Sequence, residues 1–358
     1  MRFHIQTFTV HKRFALTISR GTTAQSTNLL VRVEHEGIEG WGEASPFSVG
    51  DYAQTTETIA RSLQKIAPLL KALSPLERQR VEHLMADVRL PSAARAALDI
   101  ALHDWAGKYT NLPLWQGWGL DRDRIVPTSA TIGLNPPDVA QQRAKDWLGR
   151  GSSSPIGIQA LKLKLGNPEG IEADQAMFSA VQEVAPNLPQ LSVDANGGWS
   201  LPDALKMCDW LAERGVTYVE QPLAKGQEGD LLDLYQRSPL PLLADESCFT
   251  SYDILPLADR VHGVNIKLMK AGGLTEALRM VHTARACGLK VMFGCYSDSA
   301  LLNTAAAHLS PLADYLDLDS HLNLVNDPFI GATVKNGRVM PNERSGLGVT
   351  MRQRGEEG

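Results

Sequence analysis

Cysteine is scarce in this 358-residue chain, and the four present (Cys208, Cys248, Cys287, Cys295) are far apart with no CxxC pair. That spacing argues against a disulfide scaffold and a thiolate zinc site, and it suits a reducing cytoplasm. Long hydrophobic runs are also missing; none approaches the roughly 20 apolar residues of a membrane span. The opening MRFHIQTFTVHKRF mixes Arg2, His4, Lys12 and Arg13 with short apolar pieces and reads as lacking a signal core. Basic charge is not in excess: the formal net charge is −5, with no basic stripe, which argues against nucleic acid as a partner. Neither GxGxxG nor GxxxxGKS occurs, so a glycine-rich phosphate loop is not expected. What is present, 43% hydrophobic and 21% charged residues, is enough for a large barrel with an attached smaller unit.

The first hundred or so residues differ from the rest. Residues 3–10 and 27–36 are strand-like, and Glu36-Gly37 followed by Gly40-Trp41-Gly42 reads as a turn and a returning strand. Helical spacing follows over 55–72 (Ile59, Leu63, Ile66, Leu69, Leu70) and over the Ala-rich 92–108. From about residue 125 short apolar runs recur: VPTSATI (126–132), ALKLKL (160–165), QLSVDA (190–195), VTYVEQ (216–221), PLLADES (241–247), VHGVNIK (261–267), KVMFGC (290–295) and DYLDLD (314–319). Amphipathic segments such as 201–214 separate them. About eight strand–helix units predict a (β/α)-barrel rather than an open doubly wound sheet. After about residue 325 the rhythm is lost; VKNGRV (334–339) reads as a hairpin turn, and the tail is expected to pack back onto the N-terminal unit.

Charge placement carries the functional signal. Strand after strand ends in an ionisable residue: Lys162 and Lys164, then Asp194, Glu220, Asp245, Lys267, Asp298 just after the seventh run, and Asp317 with Asp319. Active-site groups of barrels come from these C-terminal strand ends. A period of two puts Lys162 and Lys164 on one strand face, and likewise Asp317 and Asp319. Any one of the carboxylates alone reads as a solvated loop residue, and LKLKLG alone as an edge strand. Asp194, Glu220 and Asp245 at one register of successive strands instead offer hard oxygen ligands with no accompanying Cys or His, which favours Mg²⁺ over Zn²⁺. Two close ammonium groups disfavour each other's charge, giving Lys164 a neutral fraction for use as a base. Lys267, four strands away, faces it across the barrel. Two lysines flanking a substrate suit a racemase or epimerase.

The segments LKLKLG (161–166), VDANGGW (193–199), VEQPL (219–223), ADES (244–247) and NIKLMKAGG (265–273), with GWGEASP (40–46), resemble the enolase superfamily, specifically its muconate-lactonising subgroup. The resemblance implies a modified (β/α)₇β TIM barrel over residues 123–324 and an α+β capping domain from 1–122 plus 325–358. It implies Lys164 and Lys267 as the acid/base pair, Lys162 as a cationic helper, and Asp194, Glu220 and Asp245 as Mg²⁺ ligands. Abstraction of the proton beside a substrate carboxylate then yields an enediolate, which a divalent cation and Lys162 stabilise; a lysine base with Mg²⁺ in this superfamily is itself a standard example of such tuning.

DLD at 317–319 resembles the aspartate pair of dipeptide epimerases of the L-Ala-D/L-Glu type, which holds the substrate's α-ammonium group. Epimerisation of a dipeptide at the carbon beside its C-terminal carboxylate is therefore the leading expectation, in the cytoplasm, with a small-molecule partner, no membrane, and homo-oligomer formation left open. Asp298 either orients Lys267 or caps the next helix. Substrate side-chain selection falls to the cap loop at 11–21, where Arg20 is the candidate partner for an acidic side chain or else a solvated arginine. His282, His308 and His321 read as structural. Other activities on the same scaffold stay open: o-succinylbenzoate synthase, N-acylamino-acid racemase or muconate cycloisomerase. So does a non-catalytic binding protein, although retention of all the lysines and carboxylates speaks against it.

Overall fold

The computed structural model describes residues 1–50, 52–149 and 157–353. It opens with a three-stranded antiparallel sheet, β1 (Arg2–Ile18), β2 (Gly21–His35) and β3 (Ile38–Ala44), in that order. The expected loop at 11–21 is corrected: β1 runs on to Ile18 and β2 starts at Gly21, so the segment is a strand pair joined by a tight turn. Thr17, Ile18, Thr22 and Thr23 are β-branched, and the Thr17 and Thr22 hydroxyls pair at 2.9 Å. A register shift between His11 and Leu16 sets the charged Lys12 and Arg13 apart from that ladder. A short hairpin follows, β4 (Phe47–Val49) and β5 (Tyr52–Gln54).

Helix α1 (Thr56–Leu70) begins at a Thr55–Thr58 capping box and buries Ile59, Leu63, Ile66 and Leu70, one stripe at helical spacing. Helix α2 (Arg78–Asp87) buries only Val81 and Met85, too few apolar positions to give a periodic signal. The Ala-rich α3 (Ser92–Tyr109) lies close on β3. A Cβ at Gly42 would stand 2.0 Å from the Ala97 carbonyl oxygen, so the GWG glycines allow this approach.

Eight parallel strands form the second sheet: β6 (Ser129–Ile132), β7 (Ala160–Lys164), β8 (Gln190–Asp194), β9 (Val219–Glu220), β10 (Leu242–Ala244), β11 (Gly263–Lys267), β12 (Lys290–Gly294) and β13 (Tyr315–Asp317). They lie in sequence order, and a bridge between Thr128 and Leu316 brings the last strand against the first. At least one helix follows each strand from β6 to β12, giving the expected (β/α)₇β barrel. Register places the chemistry. Lys164, Asp194 and Glu220 are direct partners across β7, β8 and β9, and Lys267, Gly294 and Asp317 are partners across β11, β12 and β13. Two tiers of charged side chains thus meet at one mouth.

The tail returns to the N-terminal sheet. Phe329 packs edge-on against Phe8 at 5.2 Å, and the Leu347 amide donates to Asp104 Oδ1 at 2.7 Å. The expected hairpin turn falls at Asn336 and Gly337, both at positive φ, between strands 333–335 and 338–340. Among the described residues no helix is long and apolar enough to cross a membrane.

Candidate active site

Asp194, Glu220 and Asp245 are buried at the strand ends, and one carboxylate oxygen from each lies within 4.8 Å of the others. Their backbone is bent to present them: Asn196 and Gln221, just beyond Asp194 and Glu220, take φ of 45° and 35°, unusual for residues with a side chain. Gln221 then accepts from the Asp245 amide at 2.9 Å and the Ser247 amide at 3.2 Å, locking the third ligand's loop to the second's. Asn196 donates to Asp194 Oδ2 at 3.1 Å and to Glu246 Oε1 at 3.2 Å. These residues lay inside VDANGG and VEQPL, but an amide at a strand end gives no signal that charge alone would reveal.

Each lysine meets the carboxylate ring. Lys164 Nζ is 2.5 Å from Asp194 Oδ2, and Lys267 Nζ is 2.7 Å from Asp245 Oδ2. Lys162 pairs with Glu220 at 2.9 Å and with Asp317. Burial alone would lower the Lys162 pKa; Asp317, Glu220 and Asp194 outweigh it and raise it well above the ordinary value. The expected mutual repulsion of the lysine pair is therefore corrected for Lys162, because its nearest charges are carboxylates. A fourth cation went unread in NIKLMKAGG: Lys270 is buried, 2.5 Å from Asp245 Oδ1, and donates to the Cys248 carbonyl at 2.9 Å. Burial pushes the Asp245 carboxyl up, but Lys267 and Lys270 hold it far below the usual range. Glu220 is pushed up to about 7 by burial and then by Asp194, with Lys162 and Lys164 only partly offsetting them.

Across the mouth, Asp317 and Asp319 part company. Asp317 is taken up by Lys162 and accepts from the Ser129 and Thr131 hydroxyls, both at 3.0 Å. Asp319 Oδ2 accepts from the Thr131 amide at 2.6 Å, and among the described residues its Oδ1 meets the Cys295 thiol alone, at 3.8 Å. Burial, then the charge of Asp317, raises the Asp319 carboxyl to about 6.

Asp298 does neither thing expected of it. Its oxygens accept from the Ser45 hydroxyl at 2.5 Å and the Tyr296 amide at 3.0 Å, and the N-cap of the following helix is Ser299. It fixes Tyr296, whose ring lies 4.5 Å from Lys267 Nζ and stacks on Phe47 of β4 at 4.8 Å. Glu43, from GWGEASP, accepts from the Ser299 and Leu302 amides at 3.1 and 3.2 Å and joins β3 to that helix; burial, then Asp298, raises its carboxyl to about 8. Arg20 lines the edge of the cleft and is held there by protein groups. Its guanidinium donates to Glu246 Oε1 and to the Asn196 carbonyl, both at 2.7 Å. His308 is buried and His321 half-buried, each with its pKa lowered to about 4 by burial.

A cleft of about 660 Å³ opens above Lys164 and Lys267, walled by Leu16, Ile18, Phe47 and Tyr296 together with hydroxyl and amide side chains of β2. A larger surface cavity, about 920 Å³, lies around Met1, Arg2 and Lys71 and contains none of these groups. The site is at the cleft, because the buried charges converge beneath it.

Two family descriptions match the chain: "Mandelate racemase / muconate lactonizing enzyme, N-terminal domain" over residues 4–119 and "Enolase C-terminal domain-like" over 141–355. A hydrophobic dipeptide epimerase of Flavobacteria bacterium is 44% identical over 354 residues, 99% of each chain. Among solved structures, an L-Ala-D/L-Glu epimerase from Bacillus subtilis in a substrate-liganded complex aligns with TM-score 0.90 at 28% identity, covering 98% of both chains. A dipeptide epimerase from Enterococcus faecalis, complexed with Mg and L-Leu-L-Tyr, aligns with TM-score 0.89 at 30% identity, covering 98% of this chain and 99% of that one. With its barrel, its carboxylate triad and these matches along both halves, the chain belongs to the mandelate racemase / muconate lactonizing enzyme family of the enolase superfamily.

Proposed function

We propose that this protein is a Mg²⁺-dependent dipeptide epimerase that inverts the carbon beside the substrate's C-terminal carboxylate. The observation that carries the reading is the pair Lys164 and Lys267, on β7 and β11 four strands apart, each bonded to the same ring of three buried carboxylates. The relatives named above supply the substrate class. Three hard oxygen donors without Cys or His fit Mg²⁺. Asp194, Glu220 and Asp245 would hold the ion, which supplies Lewis-acid stabilisation of charge on the substrate carboxylate.

The chain's own residues do the rest. One of Lys164 and Lys267, as neutral amine, takes the α-proton from its face; the other, as ammonium, delivers a proton to the opposite face, and the roles exchange in reverse. Lys162, cationic through Asp317 and Glu220, adds fixed positive charge where negative charge develops. Asp319, with one oxygen open, takes the α-ammonium group, and Asp317 supports it from behind. The apolar wall of Leu16, Ile18, Phe47 and Tyr296, with Arg20 committed to Glu246, favours an apolar side chain on the reacting residue over an acidic one. Residues 1–122 with 325–358 act as the cap, residues 123–324 as the catalytic barrel; 51, 150–156 and 354–358 lie outside the described residues. All four cysteines are free, which supports a cytoplasmic site of action.

The test is a mass-spectrometric screen of L,L-dipeptides in D₂O with Mg²⁺. Uptake of one deuterium with formation of the second epimer is the expected result. No uptake across acidic, basic and apolar dipeptides would overturn the reading.

A further inference from the structure

The bulged stretch of β1 carries a cation that the proposed chemistry leaves unused. Five hydrogen bonds tie this stretch to the loop after Asp319. The Asn326 side chain accepts from the His11 amide at 2.7 Å and donates to the Thr9 carbonyl at 2.9 Å. The Asn323 side chain accepts from the Phe14 amide at 2.9 Å and donates to the Phe14 carbonyl at 2.8 Å, and the Val325 amide donates to the His11 carbonyl at 3.0 Å. Lys12, between these ties, lines a small chamber of about 40 Å³ with Thr131, Lys164, Cys295, Asp317 and Asp319.

Among the described residues Lys12 makes no ion pair within 4.0 Å; Cys295, Asp319 and Asp298 are the groups whose charge acts on it. Burial lowers its pKa and those neighbours partly restore it. Of the carboxylates that line the chamber, Asp317 is paired with Lys162, which leaves Asp319 as its open negative charge among the described residues. Lys12 and a substrate α-ammonium already exceed it. A further cation from the substrate would find no counter-charge there and would face Lys12 in a low-dielectric pocket.

We propose that Lys12 sets selectivity for the substrate's first residue, excluding lysine or arginine there and admitting neutral or acidic side chains. This inference rests on the dipeptide-epimerase reading. It concerns the amino-terminal subsite, whereas the apolar wall concerns the reacting residue.

The test compares kcat/KM for L-Ala-L-Leu, L-Glu-L-Leu and L-Lys-L-Leu in wild type, Lys12→Met, Lys12→Glu and Lys12→Arg. Wild type should use the Lys-first dipeptide least. In Lys12→Met the ratio of Lys-first to Ala-first should rise by about tenfold, the scale of removing one like charge at close range; Lys12→Glu should raise it further and Lys12→Arg should leave it as in wild type. A ratio of rates is insensitive to partial loss of folded protein. Wild type that turns over Lys-first and Ala-first equally overturns the proposal without any variant, as does an unchanged ratio in Lys12→Met and Lys12→Glu. If wild type turns over no dipeptide at all, the epimerase reading itself fails and this inference fails with it.

Discussion

Replacing Asp317 and Asp319 one at a time separates two roles that the DLD motif merges. Asp317→Asn removes the charge that balances Lys162 inside the barrel, where the pair is fully buried. Breaking a buried ion pair costs about 3–5 kcal/mol; Lys162 keeps Glu220 at 2.9 Å, so the lower end, about 3 kcal/mol, is expected. Asp319→Asn removes a carboxylate whose partners are a backbone amide and a thiol. That amide still finds an oxygen, so the fold should persist. What is lost is a charge-assisted bond to the substrate, about 1.5–3 kcal/mol, or roughly ten- to a hundredfold in kcat/KM, carried mainly by KM. Urea denaturation followed by circular dichroism should show a lower midpoint at unchanged slope for Asp317→Asn and none for Asp319→Asn. Because the Asp319 carboxyl is raised to about 6, binding needs its ionised form, and KM in wild type should climb as pH falls through about 6. The reasoning fails if Asp317→Asn unfolds with wild type, or if Asp319→Asn is the variant that loses stability.

EDTA treatment should abolish turnover and lower the thermal midpoint, and added Mg²⁺ should restore both, since three buried carboxylates within 4.8 Å bind the ion only when folded; retained activity after exhaustive chelation would contradict the metal assignment. His308 accepts from the Trp115 amide at Nδ1 (3.2 Å) and contacts the Leu347 carbonyl through Nε2 (3.1 Å), an arrangement for neutral imidazole. With its pKa lowered to about 4 against about 6.5 unfolded, no penalty arises above pH 6.5; the unfolded state binds the extra proton as pH falls, costing about 2 kcal/mol by pH 5. His308→Gln should flatten that loss in pH-dependent denaturation, and an unaltered pH profile would refute the attribution.

Much of the barrel was legible because strands buried on both faces read as short apolar runs, and because each ended in a charge whose burial demands a reason. All eight runs became strands. The cap was harder. Thr17 and Thr22 pair in a ladder whose alternation is broken by Lys12 and Arg13, so a strand looked like a loop. The limits at the site have one physical cause: sequence names a charge but not its partner. Arg20 met Glu246 and Asp317 met Lys162, while Asp298 met Ser45, just past the end of β3 and more than 250 residues away in sequence. Gln221, Asn196 and Tyr296 act through amides and a ring face, which carry no net charge to notice.

The most direct test of the two-lysine account is deuterium exchange at the α-carbon, followed from each epimer separately in Lys164→Ala and Lys267→Ala with Mg²⁺ present. The account predicts that both variants lose epimerisation while each still exchanges the proton of one epimer, and that the epimer retained differs between them. Loss of exchange from both epimers in one variant, with the other variant still epimerising, would mean that a single base serves both faces and would contradict the account.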